Sequence, residues 1–264
     1  MSASEALLDS SPDWATDDAW RRRLDSDADR LERLLPPALT ALHAELGHRA
    51  RSAGAAALIL SGSTARGRRT AISDLDYHLV GARVRTNDLS LELDVHFLSQ
   101  PQLESDLLAG DDFVQWSLRF GCIVLDDGTV RRALRLMAER QPWPNVERKR
   151  SHAAKSLELA HRFVATGDED GALVQVRTAL SLAARARLLS ARVFPLSRAE
   201  LPAQLRELGL ASGAHALARS IYDSPSLSEL ADAVRRGERL LEGARKVAAV
   251  DRPREDDGAS APLH

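Results

Sequence analysis

The chain has 264 residues, with 36 Lys and Arg against 38 Asp and Glu and a formal charge of −2. Its 44% of apolar residues can build real cores, which excludes global disorder. Near-neutrality with 4% aromatics argues against a dedicated nucleic-acid binder, which needs a basic excess or stacking rings.

Residues 1–19 read as an acidic flexible arm. They hold Glu5, Asp9, Asp13, Asp17 and Asp18 and no Lys or Arg, the reverse of a secretory signal, so a cytoplasmic location is expected. A helical pattern runs from about Trp20 to Arg51, with Leu34, Leu35, Leu39, Leu42 and Leu46 at helical spacing and a break at Pro36-Pro37. Short strands follow. Ala55–Ser61 is a compact apolar run, too short to span a bilayer, and Asp74–Val80 and Leu91–Leu98 alternate strictly. Gly121–Leu125 is a further strand, closed by the turn Asp126-Asp127-Gly128. It carries Cys122, the single cysteine, so no intrachain disulfide can form; a buried strand position is expected for it.

Beyond Gly128 the pattern is helical, over Val130–Arg140, Val146–Ala165, Asp168–Arg192, Arg198–Leu208, Gly213–Tyr222 and Leu227–Val250. Ser197 with Glu200 and Ser226 with Glu229 have the spacing of capping boxes. In the third helix Leu173, Val176, Leu180, Ala183 and Ala184 read as the packed side. Gln141-Pro142-Trp143-Pro144 marks a boundary between the two textures. The expected class is α/β (α+β): a small mixed sheet domain over 20–140, a helical bundle over 145–250 and a polar tail over 251–264.

Chemistry concentrates among the strands. Leu60-Ser61-Gly62-Ser63-Thr64-Ala65-Arg66-Gly67 is a glycine-bearing turn after a buried strand, suited to holding phosphate oxygens on backbone N–H groups. Asp74, Asp76 and His78 share one face of the next strand. Adjacent carboxylates repel unless a cation lies between them, and hard oxygen ligands suit Mg²⁺. On the strand after it, Leu91, Leu93, Val95 and Phe97 form the core face and leave Glu92, Asp94 and His96 opposite. If the two strands pair, Asp94 completes a three-carboxylate cluster of the kind that two-metal phosphoryl or nucleotidyl transfer uses.

Gly62-Ser63, then Asp74-x-Asp76, then Asp94 resembles the signature of the polymerase-β-like nucleotidyltransferase superfamily. The wording Gly-Ser-Thr-Ala-Arg-Gly and Ser-Asp-Leu-Asp is similar to its small bacterial members, the antibiotic nucleotidyltransferases and the minimal ones paired with helical toxins. The resemblance covers residues 55–128 well. It implies that Gly62 and Ser63 hold the β/γ-phosphates, that Asp74 and Asp76 bind both metals, and that Asp94 binds the catalytic metal and takes the acceptor's proton. It also implies Mg²⁺, with Mn²⁺ as a substitute. Arg66 would assist the phosphates. Tyr77 and His78 depart from the small apolar residues common after the Asp pair.

His78 and His96 could ligate a metal, but hydrogen bonding to the acids or backbone is the preferred expectation. Asp126 and Asp127 read as a turn and Glu92 as a solvated neighbour. From Arg131 to Arg162 nine cations face three acids, a net +6. This is either a basic wall for the triphosphate, with Lys155 and Arg150 as candidates, or a solvated helix face. The expected partners are a nucleoside triphosphate, ATP above others, and a small-molecule hydroxyl acceptor such as an antibiotic. No membrane and no nucleic acid is expected, and a homodimer is left open. The alternatives are an antitoxin-type enzyme that modifies a partner protein and a non-catalytic nucleotide binder. No Arg and His stand four to six residues apart in the terminal helices, the spacing common in the matching toxins; Arg206 and His215 are nine apart.

Overall fold

The computed structural model describes residues 16–69, 73–89, 93–223 and 225–250, with side chains as far as residue 244. Most of the acidic arm, Leu91, Glu92 and the tail lie outside the described residues. The elements in order are α1 (Asp17–Leu34), α2 (Pro37–Ser52), β1 (Ala57–Leu60), α3 (Gly62–Ala65), β2 (Leu75–Val80), β3 (Leu93–Leu98), α4 (Gln100–Leu108) and α5 (Asp112–Phe120). They continue with β4 (Cys122–Asp126), α6 (Thr129–Arg140), α7 (Val146–Thr166), α8 (Glu169–Ser190), α9 (Leu201–Glu207), α10 (Ala211–Tyr222) and α11 (Leu227–Val250). Asp17 and Asp18, read from sequence as arm, form the acidic first turn of α1, where Thr16 accepts the Ala19 N–H. Acids there complement the helix dipole.

The chain divides into two compact units. One reaches to Asn145 and takes in Leu196–Leu201; the other is Val146–Pro195 and Pro202 onward. The first unit is built on a four-stranded sheet in the order β3-β2-β1-β4. β1 pairs antiparallel with β2 and with β4, while β2 and β3 run parallel. The sheet is mixed, and the class is α+β.

Both faces of this sheet are covered, which period-2 alternation did not anticipate. Leu58, Leu60, Leu75, Tyr77 and Leu79 pack with Leu31, Leu35, Leu39 and Leu46 of the first two helices and their junction. Ala57, Ile59 and Val80 pack on the other face with Leu103, Leu107, Val114, Leu118, Val130 and Leu134 from α4, α5 and α6. Leu75, Tyr77 and Leu79 are buried together on one face of β2, and Tyr77 joins its hydroxyl to His43 Nδ1 at 2.7 Å. Cys122 is buried and free, as expected. Beside edge strand β4, buried Asp27 of α1 accepts the Ile123 N–H at 3.0 Å and meets Arg23 and Arg30. Arg30 reaches on to the Ala65 carbonyl at 2.7 Å, tying α1 to the glycine turn. Asp126 and Asp127 accept the Val130 and Thr129 N–H groups and so cap α6, the turn role read from sequence.

In the second unit α8 is central, packing against α7, α10 and α11. It is buried along most of its length rather than on one side, so Ala172, Ala179 and Ala186 are enclosed while Leu173 is only half-buried. Gly237 of α11 sits where α7 and α8 meet: a Cβ there would fall 2.9 Å from Leu157 Cδ2 and 3.4 Å from Leu180 Cδ2. Ser226 and Glu229 form the expected capping box at the start of α11, with Ser226 N and Oγ both 2.9 Å from Glu229 Oε2.

Candidate active site

The site starts at the end of β1. Ser61 donates its N–H at 2.7 Å and its hydroxyl at 3.2 Å to the Asp76 carbonyl, which pins the glycine turn over β2. Gly62 then takes φ +67°, and a Cβ there would fall 1.8 Å from Asp76 Oδ2. Only glycine lets the backbone lie against that carboxylate. The following turn, α3, has no side-chain cap.

β2 and β3 set the acids. Parallel pairing places Asp76 opposite Asp94 and His78 opposite His96. Asp74 stands just ahead of β2 and is exposed, as is Asp94 on the sheet edge, whereas Asp76 between them in sequence is half-buried. Burial, helped by the charges of Asp94 and Asp74, pushes the Asp76 carboxyl up to about 6, against the opposing pull of His96 and Arg198. Burial and like charge both disfavour its ionised form, so it holds a proton through the mildly acidic range.

The histidines are held by their neighbours. His96 Nε2 lies 3.3 Å from Asp94 Oδ2. Buried His78 shares a 2.9 Å hydrogen bond with Ser117 Oγ and stacks on His96 at 5.5 Å, with Phe113 against both rings. Burial, and secondarily the nearby His96, drives the His78 imidazole down to about 3, so it stays neutral and does not offset the acids. His78 is on the acids' face, but α5 covers that part of the strand.

Arg66 is placed differently from its expected phosphate role. Its Nη2 and Nε donate to Glu200 at 2.7 and 3.3 Å, and its guanidinium lies 5.2 Å from the Phe120 ring centre. Glu200 also accepts from Ser197 Oγ at 2.6 Å and Ser197 N at 3.2 Å, the capping-box pairing read from sequence. Burial alone would raise the Glu200 carboxyl, but the bonds from Arg66 and Ser197 outweigh it and hold it low. The nine-cation stretch divides between α6 in one unit and α7 in the other. Arg131 pairs with Asp17, Arg150 with Glu147 and Arg162 with Glu158, and Lys155 is exposed on α7.

No family model and no curated protein matches the chain. Among solved structures it is similar to a nucleotidyltransferase-like protein from Exiguobacterium sibiricum 255-15, with 17% identity, a TM-score of 0.40, and coverage of 79% of this chain and 81% of that one. A likeness at that level leaves the assignment to the residues themselves.

The donor set fits a hard divalent cation in kind: three carboxylates, two of them paired across β2 and β3, and a glycine cradle against one of them. Among the described residues no three His, Cys, Asp or Glu are yet drawn together tightly enough to hold a metal. Sequence reasoning missed Phe113 and Ser117. Ser99 and Asp111, which cap α4 and α5, were the available signals for the two helices behind them.

Proposed function

We propose that the chain is a Mg²⁺-dependent nucleotidyltransferase that moves a nucleoside monophosphate, AMP from ATP, to a hydroxyl of a small molecule such as an antibiotic. The observation that carries this reading is the placement of Asp76 opposite Asp94 in β2 and β3, directly against Gly62. Asp74, Asp76 and Asp94 would hold the cation, which when bound would neutralise phosphate charge and make the acceptor hydroxyl more acidic. The N–H groups of the Gly62-Ser63 turn would hold the β- and γ-phosphate oxygens. The acceptor oxygen bonds to the α-phosphorus, the bond to the α,β-bridging oxygen breaks, and its electron pair leaves on pyrophosphate. Asp94, exposed on the edge strand, would take the acceptor's proton. Lys155 as a nucleotide contact has its support from the sequence pattern alone.

The test is to incubate the protein with Mg²⁺, each nucleoside triphosphate and pooled antibiotics and metabolites, following pyrophosphate and acceptor mass. One nucleotide added to an acceptor, lost in Asp74→Asn and Asp76→Asn, is the expected result. Unchanged turnover in either variant refutes the assignment. A second reading is nucleotide binding without turnover. It predicts triphosphate binding with no pyrophosphate release.

A further inference from the structure

β3 is the edge strand, and Asp94 and His96 are the exposed residues of its site face. His96 Nε2 lies 3.3 Å from Asp94 Oδ2, with 45% of the His96 side chain open to solvent. Among the described residues His96 has no other polar partner. Packing holds its ring instead: His78 is stacked on it at 5.5 Å and 28°, and Phe113 meets it edge-on at 4.8 Å. His78 is buried and shares a hydrogen bond with Ser117 Oγ, so it serves as a fixed support for the ring beside it. A ring locked by its neighbours presents its nitrogen in one place.

The 3.3 Å separation suits two ligands of one ion. Donors about 2.1 Å from a shared cation stand about 3.0 Å apart at a right angle and about 3.4 Å apart at a tetrahedral one. Asp76 is in register opposite Asp94, so an ion held on Asp94 Oδ2 belongs to the same cluster and has the imidazole nitrogen beside it. The pair is two donors and not a complete cage; Asp76 and the phosphate oxygens of the nucleotide would supply the rest of the shell. A neutral nitrogen adds a ligand without adding a negative charge to carboxylates that already repel one another. Magnesium keeps to oxygen ligands and water, whereas imidazole is a ligand that first-row transition ions accept.

We propose that His96 is a nitrogen ligand of the cation, paired with Asp94, and that the site therefore holds Mn²⁺ more tightly than Mg²⁺. This rests on the nucleotidyltransferase reading and adds to it a further donor and a preference between ions. His96 is a binding residue, and His78 and Phe113 are positioning residues for its ring.

The experiment is pulsed electron paramagnetic resonance of the full chain with Mn²⁺ and inorganic tripolyphosphate, a phosphate chain that carries no nitrogen. A directly bound imidazole shows as modulation of the Mn²⁺ echo by its nitrogen nucleus. Wild type is compared with His96→Gln, His96→Asn and Asp76→Asn, and Mn²⁺ and Mg²⁺ affinities are measured by titration. Circular dichroism and melting confirm that each variant is folded. The expected result is nitrogen modulation in wild type that is absent from both His96 variants. Their Mn²⁺ affinity should fall roughly 10-fold or more, with Mg²⁺ affinity within about threefold of wild type. Asp76→Asn should lose the bound ion. Mn²⁺ that binds wild type through Asp76 without nitrogen modulation overturns the proposal and leaves the nucleotidyltransferase reading intact, as does modulation that survives in a folded His96 variant. Equal losses of the two ions in the His96 variants would mean a structural role only, and overturn it too. If neither ion binds wild type in a way that depends on Asp76, both fall together.

Discussion

Asp76→Asn separates the electrostatics of the site from its chemistry. The Asp76 carboxyl titrates at about 6 in the fold, against an ordinary value of 3.8. A carboxyl raised on folding binds more protons in the native state than in the unfolded one between those values. Stability therefore falls as pH rises through the window from about 4 to 6, and the whole penalty is present at neutral pH. Two units at about 1.4 kcal/mol each set a ceiling of about 3 kcal/mol. Asparagine keeps the shape and removes the charge.

In chelator at pH 7.5, Asp76→Asn should be more stable than wild type by about 1–3 kcal/mol, or roughly 3–10 °C in melting temperature. The difference should shrink toward zero near pH 4. The titration of His78 is common to both proteins and drops out of that difference. Saturating Mg²⁺ should raise the wild-type midpoint at pH 7.5 and leave the variant nearly unmoved. Thermal denaturation across pH, with and without Mg²⁺, measures all of this. A variant no more stable than wild type at pH 7.5 in chelator, or a gap independent of pH, would refute the reasoning.

Gly62→Ala forces a Cβ to 1.8 Å from Asp76 Oδ2 at a left-handed backbone position; a loss of about 2–3 kcal/mol in denaturant midpoint and loss of Mg²⁺-dependent nucleotide binding are expected. Asp27→Ala strips two guanidinium groups and the Ile123 N–H of their buried partner and should cost about 3 kcal/mol or more in a urea titration. His78, neutral in the fold down to about pH 3, binds a proton in the unfolded chain first. Its contribution is complete above pH 6.5 and is lost below it at up to about 1.4 kcal/mol per pH unit, so His78→Asn should flatten the acid limb of the stability curve relative to wild type.

The strands were legible because β-branched and leucine runs ended in strong turn chemistry. β2 and β3 begin and end within a residue or two of the alternating segments, and both capping boxes formed as the Ser-x-x-Glu spacing indicated. α4 and α5 were missed for a physical reason. Each is nine residues long, below the length at which a helical period separates from other short apolar patterns. Without α5 the burial of His78 could not be foreseen, since alternation says which face a residue occupies and not what covers it. The acids at the candidate site were legible because their spacing is local. The Arg66–Glu200 pair was not: its partners stand 134 residues apart, and nothing marks Glu200 in sequence except its capping box.

The order of strands explains why Asp76 and Asp94 are not equivalent. β2 is interior, with β1 on one side and β3 on the other, so Asp76 is half-buried and pressed against the Gly62 backbone. β3 is an edge strand, so Asp94 in register beside it is exposed to whatever approaches from that side. The interior acid is the one whose charge is costly alone and most relieved by a cation; the edge acid is the one an acceptor could reach. A one-residue slip in the β2–β3 register would turn Asp94 and His96 to the opposite face and bring Val95 beside Asp76. The chemistry proposed for this chain thus depends on the parallel pairing of one short edge strand. Its register is held on the other side by Val95 and Phe97, which pack partly buried against the core of Leu75, Tyr77 and Leu79.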